Sequence, residues 1–166
     1  MNEHACSILN ETSSTSFACD LRKWHEIMQA YVNGAHAYHA TMPTDALRTF
    51  RDVMNETRAI GFEKLKQAQL ELGNRIRALL DENGYQSVAA EGFEAPGVVV
   101  CYTDDSDIKT GKKFAAQGLQ IAAGVPLQCD EPEDFQTFRL GLFGLDKLQN
   151  LDRSVASFEQ ALKQVS

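Results

Sequence analysis

Several things are scarce in this chain. It has 4 prolines, 1 tryptophan and 4 cysteines in 166 residues. No apolar run approaches the length of a membrane span, about twenty residues. Basic residues are outnumbered by acidic ones, 16 against 23, which leaves a net charge of −7. Nor are they clustered, since only Arg22-Lys23 and Lys112-Lys113 are adjacent. A general nucleic-acid binder needs a basic stripe to neutralise phosphates, so that class is excluded. Cys6, Cys19, Cys101 and Cys129 lie far apart and form no Cys-x-x-Cys pair. That argues against a secreted disulfide scaffold and for reduced, mostly buried thiols in a cytoplasmic protein. The start, Met-Asn-Glu-His-Ala-Cys, lacks a basic region followed by an apolar stretch, so no secretory signal is expected.

What is present is the composition of an ordinary globular protein, 43% hydrophobic and 23% charged. The length suits one good core, or a core plus a remnant of a larger one. Residues 1 to 19 are polar and read as irregular, with Glu11-Thr-Ser-Ser-Thr-Ser16 as loop. Leu21, Trp24, Ile27, Met28 and Tyr31 recur at threes and fours, predicting a helix over Asp20 to Val32 with Asp20 as N-cap. A second helix begins at Pro43 or Thr44, with Leu47, Phe50, Val53 and Met54 on its apolar face, until Gly61 interrupts it. A third runs from Phe62 to about Asn83, and Gly84 suits its left-handed cap. Two such helices in succession suggest a connecting rod between domains as much as a core element.

From Tyr85 the pattern changes. Gly97 to Thr103, "GVVVCYT", is a β-branched run that predicts a buried strand. Ser106 to Gln117 predicts a helix capped by Ser106, "LQIAAG" a short strand, and Phe138 to Gly144 another. A last helix is expected over about Asn150 to Val165, with Leu151, Val155, Phe158, Leu162 and Val165 in register. Strands interleaved with covering helices make residues 85–166 a small α/β unit.

Four constellations carry possible chemistry. His36 and His39 stand three apart, but a metal would need further ligands, and His4 and His25 lie in unconnected segments. A polar loop is the better reading of the pair. Tyr38 and Thr41 lie just before a helix start, where unsatisfied N–H groups attract anions and the two hydroxyls are neutral donors. Hydroxyls there more often serve only as caps. In Phe138-Arg-Leu-Gly-Leu142, alternation sets Phe138, Leu140 and Leu142 on one face and Arg139 with Gly141 on the other. Arg139 is either a solvent-facing arginine, which the pattern alone favours, or a strand-held fork for a carboxylate, with Gly141 leaving room for the ligand. Cys129 sits among Asp130, Glu131, Glu133 and Asp134, surroundings that disfavour a thiolate.

Taken together, these segments resemble the C-terminal portion of a pyridoxal-phosphate (PLP) aminotransferase of class V, fold-type I. The alanine–glyoxylate and serine–pyruvate group is the nearest in pattern. "YHATMPTDAL" looks like the segment that opens the interdomain helix of that family. "GLQIAAGVP" is similar to the stretch where the small domain's last strands approach the active site. "FRLGLFGLDKLQNLDRSVASFEQAL" looks like the arginine-bearing strand, its turn and the terminal helix. The resemblance runs over about the last 150 residues.

The resemblance implies a division into a remnant of the large PLP-binding domain (1–42), interdomain helices (43–84) and the small C-terminal α/β domain (85–166). It implies that Tyr38 and Thr41 reach across a homodimer interface to hydrogen-bond the cofactor phosphate of the other subunit. It makes Arg139 the clamp for the α-carboxylate of an amino acid or 2-oxo acid, and gives His39, near the site, no catalytic role. The implied reaction moves an amino group between alanine or serine and glyoxylate, pyruvate or a similar 2-oxo acid.

One departure stands out. The family's lysine, which forms the Schiff base and shuttles a proton, would lie upstream. None of the eight lysines here (Lys23, Lys64, Lys66, Lys109, Lys112, Lys113, Lys147 and Lys163) stands in that context. The expectation is a truncated product without transaminase activity of its own. Two other readings are a non-catalytic interaction or dimerisation module, and a cysteine desulfurase-like enzyme using Cys129.

Overall fold

The computed structural model describes residues 2–165. They divide into two compact units, one ending at Arg51 and the other starting at Asp52.

In the first unit, α1 (Glu3–Glu11) occupies sequence expected to be irregular. The cause is local: the Asn2 side chain accepts from the Ala5 N–H at 2.9 Å and caps a stretch with only Cys6, Ile8 and Leu9 as larger apolar residues. The helix α2 (Leu21–Val32) forms as its spacing predicts, with Asp20 accepting from the Lys23 N–H at 3.0 Å. Its indole Trp24 Nε1 donates to the Ala18 carbonyl at 2.9 Å, and Arg22 reaches the Asn10 carbonyl at 2.7 Å. Among the described residues of this unit, only Leu9 and Ile27 are buried larger apolar side chains.

The helix α3 (Thr44–Ile60) and α4 (Phe62–Glu82) are separated by the single residue Gly61, whose φ of 98° no ordinary side chain tolerates well. They differ in partnership. Along α3 no residue is buried, and Leu47, Phe50, Val53 and Met54 are all exposed. Along α4, Leu65, Leu72, Ile76 and Leu80 are buried, which makes α4 a core element of the second unit. It ends as expected at Gly84 (φ 82°), where the N–H groups of Gly84 and Tyr85 return to the carbonyls of Asp81 and Leu80.

The sheet of the second unit has strands β1 (Val98–Tyr102), β2 (Ala122–Ala123) and β3 (Thr137–Gly141) in the order β1-β3-β2, antiparallel throughout. One face is covered by α4 and by α8 (Leu151–Val165). Val99, Cys101, Phe138 and Leu140 from the strands meet Leu72, Ile76, Phe158 and Leu162 from the helices. Each fully buried aliphatic or aromatic side chain of this kind contributes about 1.5–3 kcal/mol. Phe114 is wholly buried beside Phe138 and stacks on Phe158 with centroids 6.0 Å apart. Residues Gln86 to Val88 run along the outer edge of β1: Val88 N–H donates to the Val100 carbonyl and Tyr102 N–H to the Gln86 carbonyl, each at 3.0 Å.

Three further expectations need correction. The helix over 106–117 is broken into α5 (Ser106–Lys109) and α6 (Lys112–Ala116), because Gly111 turns the chain with a φ of 79°. Its cap is Asp105, whose carboxylate accepts from the Asp107 and Ile108 N–H groups, and not Ser106. The strand over 138–144 stops at Gly141, since Gly144 (φ 114°) opens a further short helix, α7 (Leu145–Gln149).

Candidate functional site

Arg139 stands on the central strand of the sheet. Val100 of β1 and Ala122 of β2 are its partners on either side. The alternation of β3 acts as the sequence implies: Phe138 and Leu140 enter the core, while Arg139 stays partly exposed on the opposite face beside exposed Gly141. Among the described residues the guanidinium makes one hydrogen bond, Nε donating to the Ala123 carbonyl at 2.9 Å. No carboxylate among the described residues pairs with it. A rigidly placed guanidinium with its terminal nitrogens uncommitted can bind a planar carboxylate through two parallel hydrogen bonds.

Beyond Arg139, on the same face, the ring of Phe143 lies across Gly97 and Gly141. A Cβ at Gly97 would meet that ring at 2.5 Å, and one at Gly141 at 3.8 Å. Neither Phe143 nor the Ala123 carbonyl was legible as part of the site. A backbone acceptor leaves no mark on the sequence beyond the residues that place it.

Tyr38 and Thr41 belong to the first unit. Both are exposed, and their hydroxyl oxygens are 3.3 Å apart. Thr41 precedes the first residue of α3 by three positions, so the pair lies just before a helix N-terminus. The two histidines near them have separate engagements. His39 sits between the rings of Phe17 (4.4 Å) and Trp24 (5.1 Å) and contacts the Phe17 carbonyl through Nε2 at 3.1 Å. His36 packs edge-on against Tyr31. No cluster of three or more His, Cys, Asp or Glu suited to a metal ion occurs among the described residues.

Cys129 is exposed in a tight loop where Gln128 and Asp130 both have positive φ. The Glu131 carboxylate accepts from the N–H of Cys129 at 2.8 Å and of Gln128 at 2.9 Å. These bonds push the Glu131 pKa down to about 2, so the carboxylate is charged at all ordinary pH.

An apolar cleft of about 350 Å³ opens in the second unit, reaching Gly141 and lined by Leu72, Ile76, Leu142 and Phe158 with Lys147 and Arg153. Its cations are already engaged: Arg153 pairs with Asp146 at 2.7 Å, and Lys147 donates to the Phe143 carbonyl at 2.8 Å. Arg139 does not line it.

No protein-family model matches the chain, and no curated protein sequence does. Solved structures do. A crystal structure of an alanine–glyoxylate aminotransferase from Nostoc sp. superposes with a TM-score of 0.76 over 99% of this chain and 42% of that one, at 16% identity. An aspartate aminotransferase of subgroup IV from Thermus thermophilus matches 59% of this chain and 27% of its own, with a TM-score of 0.42 and 18% identity. The chain thus has the fold of part of an aminotransferase, and spans about two fifths of the length of the Nostoc enzyme. Among the described residues no helix is long and apolar enough to cross a membrane.

Proposed function

We propose that the chain forms the substrate-closing part of a PLP-dependent aminotransferase of class V. The complete cytoplasmic homodimer would move an amino group between alanine or serine and a 2-oxo acid such as glyoxylate or pyruvate. The observation that carries this reading is the superposition of 99% of the chain on a portion of the Nostoc aminotransferase. In this reading residues 1–42 belong to the large domain, 43–84 are interdomain helices and 85–166 are the small domain.

Arg139 would hold the α-carboxylate of the substrate, which fixes the amino or keto carbon at one distance and angle from the cofactor. Tyr38 and Thr41 fit a phosphate. With hydroxyls 3.3 Å apart and turned to solvent, both can donate to a single phosphate group before the N-terminus of α3. When bound, the cofactor supplies an electron sink for the carbon that bears the amino group. The lysine that anchors it lies, in this reading, outside the present chain.

Titration of the chain, followed by nuclear magnetic resonance, tests the assignments. Pyridoxal 5′-phosphate should shift the resonances of Tyr38 and Thr41, and pyridoxal should not. Pyruvate should shift Arg139, and acetone should not. The chain alone should transfer no amino group from alanine to glyoxylate. Turnover by the chain alone, or an Arg139→Ala variant that binds pyruvate unchanged, would sink the reading. The desulfurase alternative is not favoured, because the superposition is on an aminotransferase.

A further inference from the structure

We infer that Gly124 is a positioning residue for Arg139. By carrying no side chain it lets β2 close on β3, and the Ala123 carbonyl so placed turns the guanidinium end-on toward its carboxylate. This rests on the reading of Arg139 as the carboxylate-binding group.

The argument begins with β2. It has two residues, paired with β3 through Ala122 with Arg139 and Ala123 with Phe138. So short a strand has no length over which to absorb a local displacement. At the next residue, a Cβ on Gly124 would lie 1.8 Å from the Thr137 carbonyl oxygen and 2.5 Å from its carbon. Those atoms are backbone of β3 and cannot swing aside. The Gly124 N–H is tied on its other side to the Lys109 carbonyl at 3.2 Å. Any side chain at 124 therefore drives β2 off β3.

The carbonyl that would be carried away is Ala123's, the acceptor for Arg139 Nε at 2.9 Å. A guanidinium can grip a carboxylate by its side, through Nε and one terminal nitrogen, or by its end, through both terminal nitrogens. With Nε committed to Ala123, the end is what it offers. The Ala123 bond also removes rotation about the last torsions of a long side chain, so less freedom is lost when the ligand arrives. A lysine could supply the charge at 139 but not this division of labour among nitrogens.

The test uses the full chain, labelled with ¹⁵N, and pyruvate as the probe. In the unaltered protein the Arg139 Nε–H should exchange slowly with solvent, and pyruvate should shift the terminal nitrogens while Nε stays protected. In Gly124→Ala, Nε–H exchange should rise and pyruvate affinity fall, each by about tenfold, the effect of losing one charge-assisted bond. Amide exchange in the β1–β3 ladder should stay unchanged, which a general loosening of the fold would not allow. Unchanged Nε exchange and affinity in Gly124→Ala would overturn the inference and leave the clamp standing. No pyruvate effect at Arg139 in the unaltered chain would overturn the clamp itself. Should Gly124→Ala not fold, Arg139→Lys keeps the charge at a partly exposed site and lacks Nε–H. Affinity at least tenfold weaker is expected there, and equal affinity would overturn the end-on geometry.

Discussion

Arg77 of α4 donates through Nη2 to the carbonyl of Val98, the first residue of β1, at 3.0 Å. The same nitrogen reaches the Ala95 carbonyl at 2.9 Å. One side chain thereby holds the chain's approach to the sheet against the helix that covers it. Arg77→Ala leaves both carbonyls to find other partners, one of them in a half-buried place. The expected loss is about 2 kcal/mol, read as a lower midpoint in urea unfolding with an unchanged slope.

Gly73 makes a complementary case. In the middle of an exposed helix, alanine in place of glycine stabilises by about 1 kcal/mol. Here the added Cβ would lie 2.7 Å from the carbonyl oxygen of Pro96, a backbone atom. Steric cost should win, so Gly73→Ala is expected to destabilise by about 1–3 kcal/mol. A raised melting temperature would show that residues 95–97 yield more easily than this packing implies.

Cys101 is 2% exposed, and burial pushes its thiol from 9.0 up to about 11. The folded state therefore holds this proton more tightly than the unfolded state does. The resulting stability is complete below pH 9.0 and declines as pH rises toward about 11. Cys101→Val should flatten that decline. In thiol labelling at neutral pH, the exposed Cys19 and Cys129 should react promptly, and Cys101 only after unfolding.

Glu131 has the opposite sign. Its folded pKa is lowered from 4.5 to about 2 by the backbone N–H groups of Cys129 and Gln128. The loop is held fully above the ordinary carboxylate range and should loosen as pH falls through that window. Glu131→Gln should show the loosened loop already at neutral pH, as faster amide exchange at 128 and 129. The melting point should barely move, because the loop is exposed.

Helix α3 shows Phe50 63% and Met54 54% exposed on one side. Contiguous apolar surface of this kind promotes association. The chain should self-associate as its concentration rises, and Phe50→Glu with Met54→Glu should shift it toward monomer in sedimentation. A chain that stays monomeric at every concentration would contradict this.

How much of this was legible beforehand depends on where the information sits. The faces of α4, α8 and β3 follow from spacing, because burial selects apolar residues at the helical or strand period. Leu72, Ile76, Phe138 and Leu162 are accordingly in the core. The break at Gly111 is not legible because a glycine inside a helical pattern reads as a weak helix residue, whereas here its φ is positive. Helix α1 is not legible because its few apolar residues form no convincing stripe and its formation depends on the Asn2 cap. At the site, Arg139 was visible through its alternating neighbours, whereas the Ala123 carbonyl and the closeness demanded at Gly124 exist only once two strands have met.

The segment from Gln86 to Val88 has a consequence for the fate of misassembled protein. By bonding the outward carbonyl of Val100 and N–H of Tyr102, it covers part of one margin of the sheet, and at the other margin β2 has only two residues. There is little template for strand-by-strand growth into fibrils. Deposits of this chain should therefore be amorphous, assembled through helices, and silent to dyes that report cross-β order.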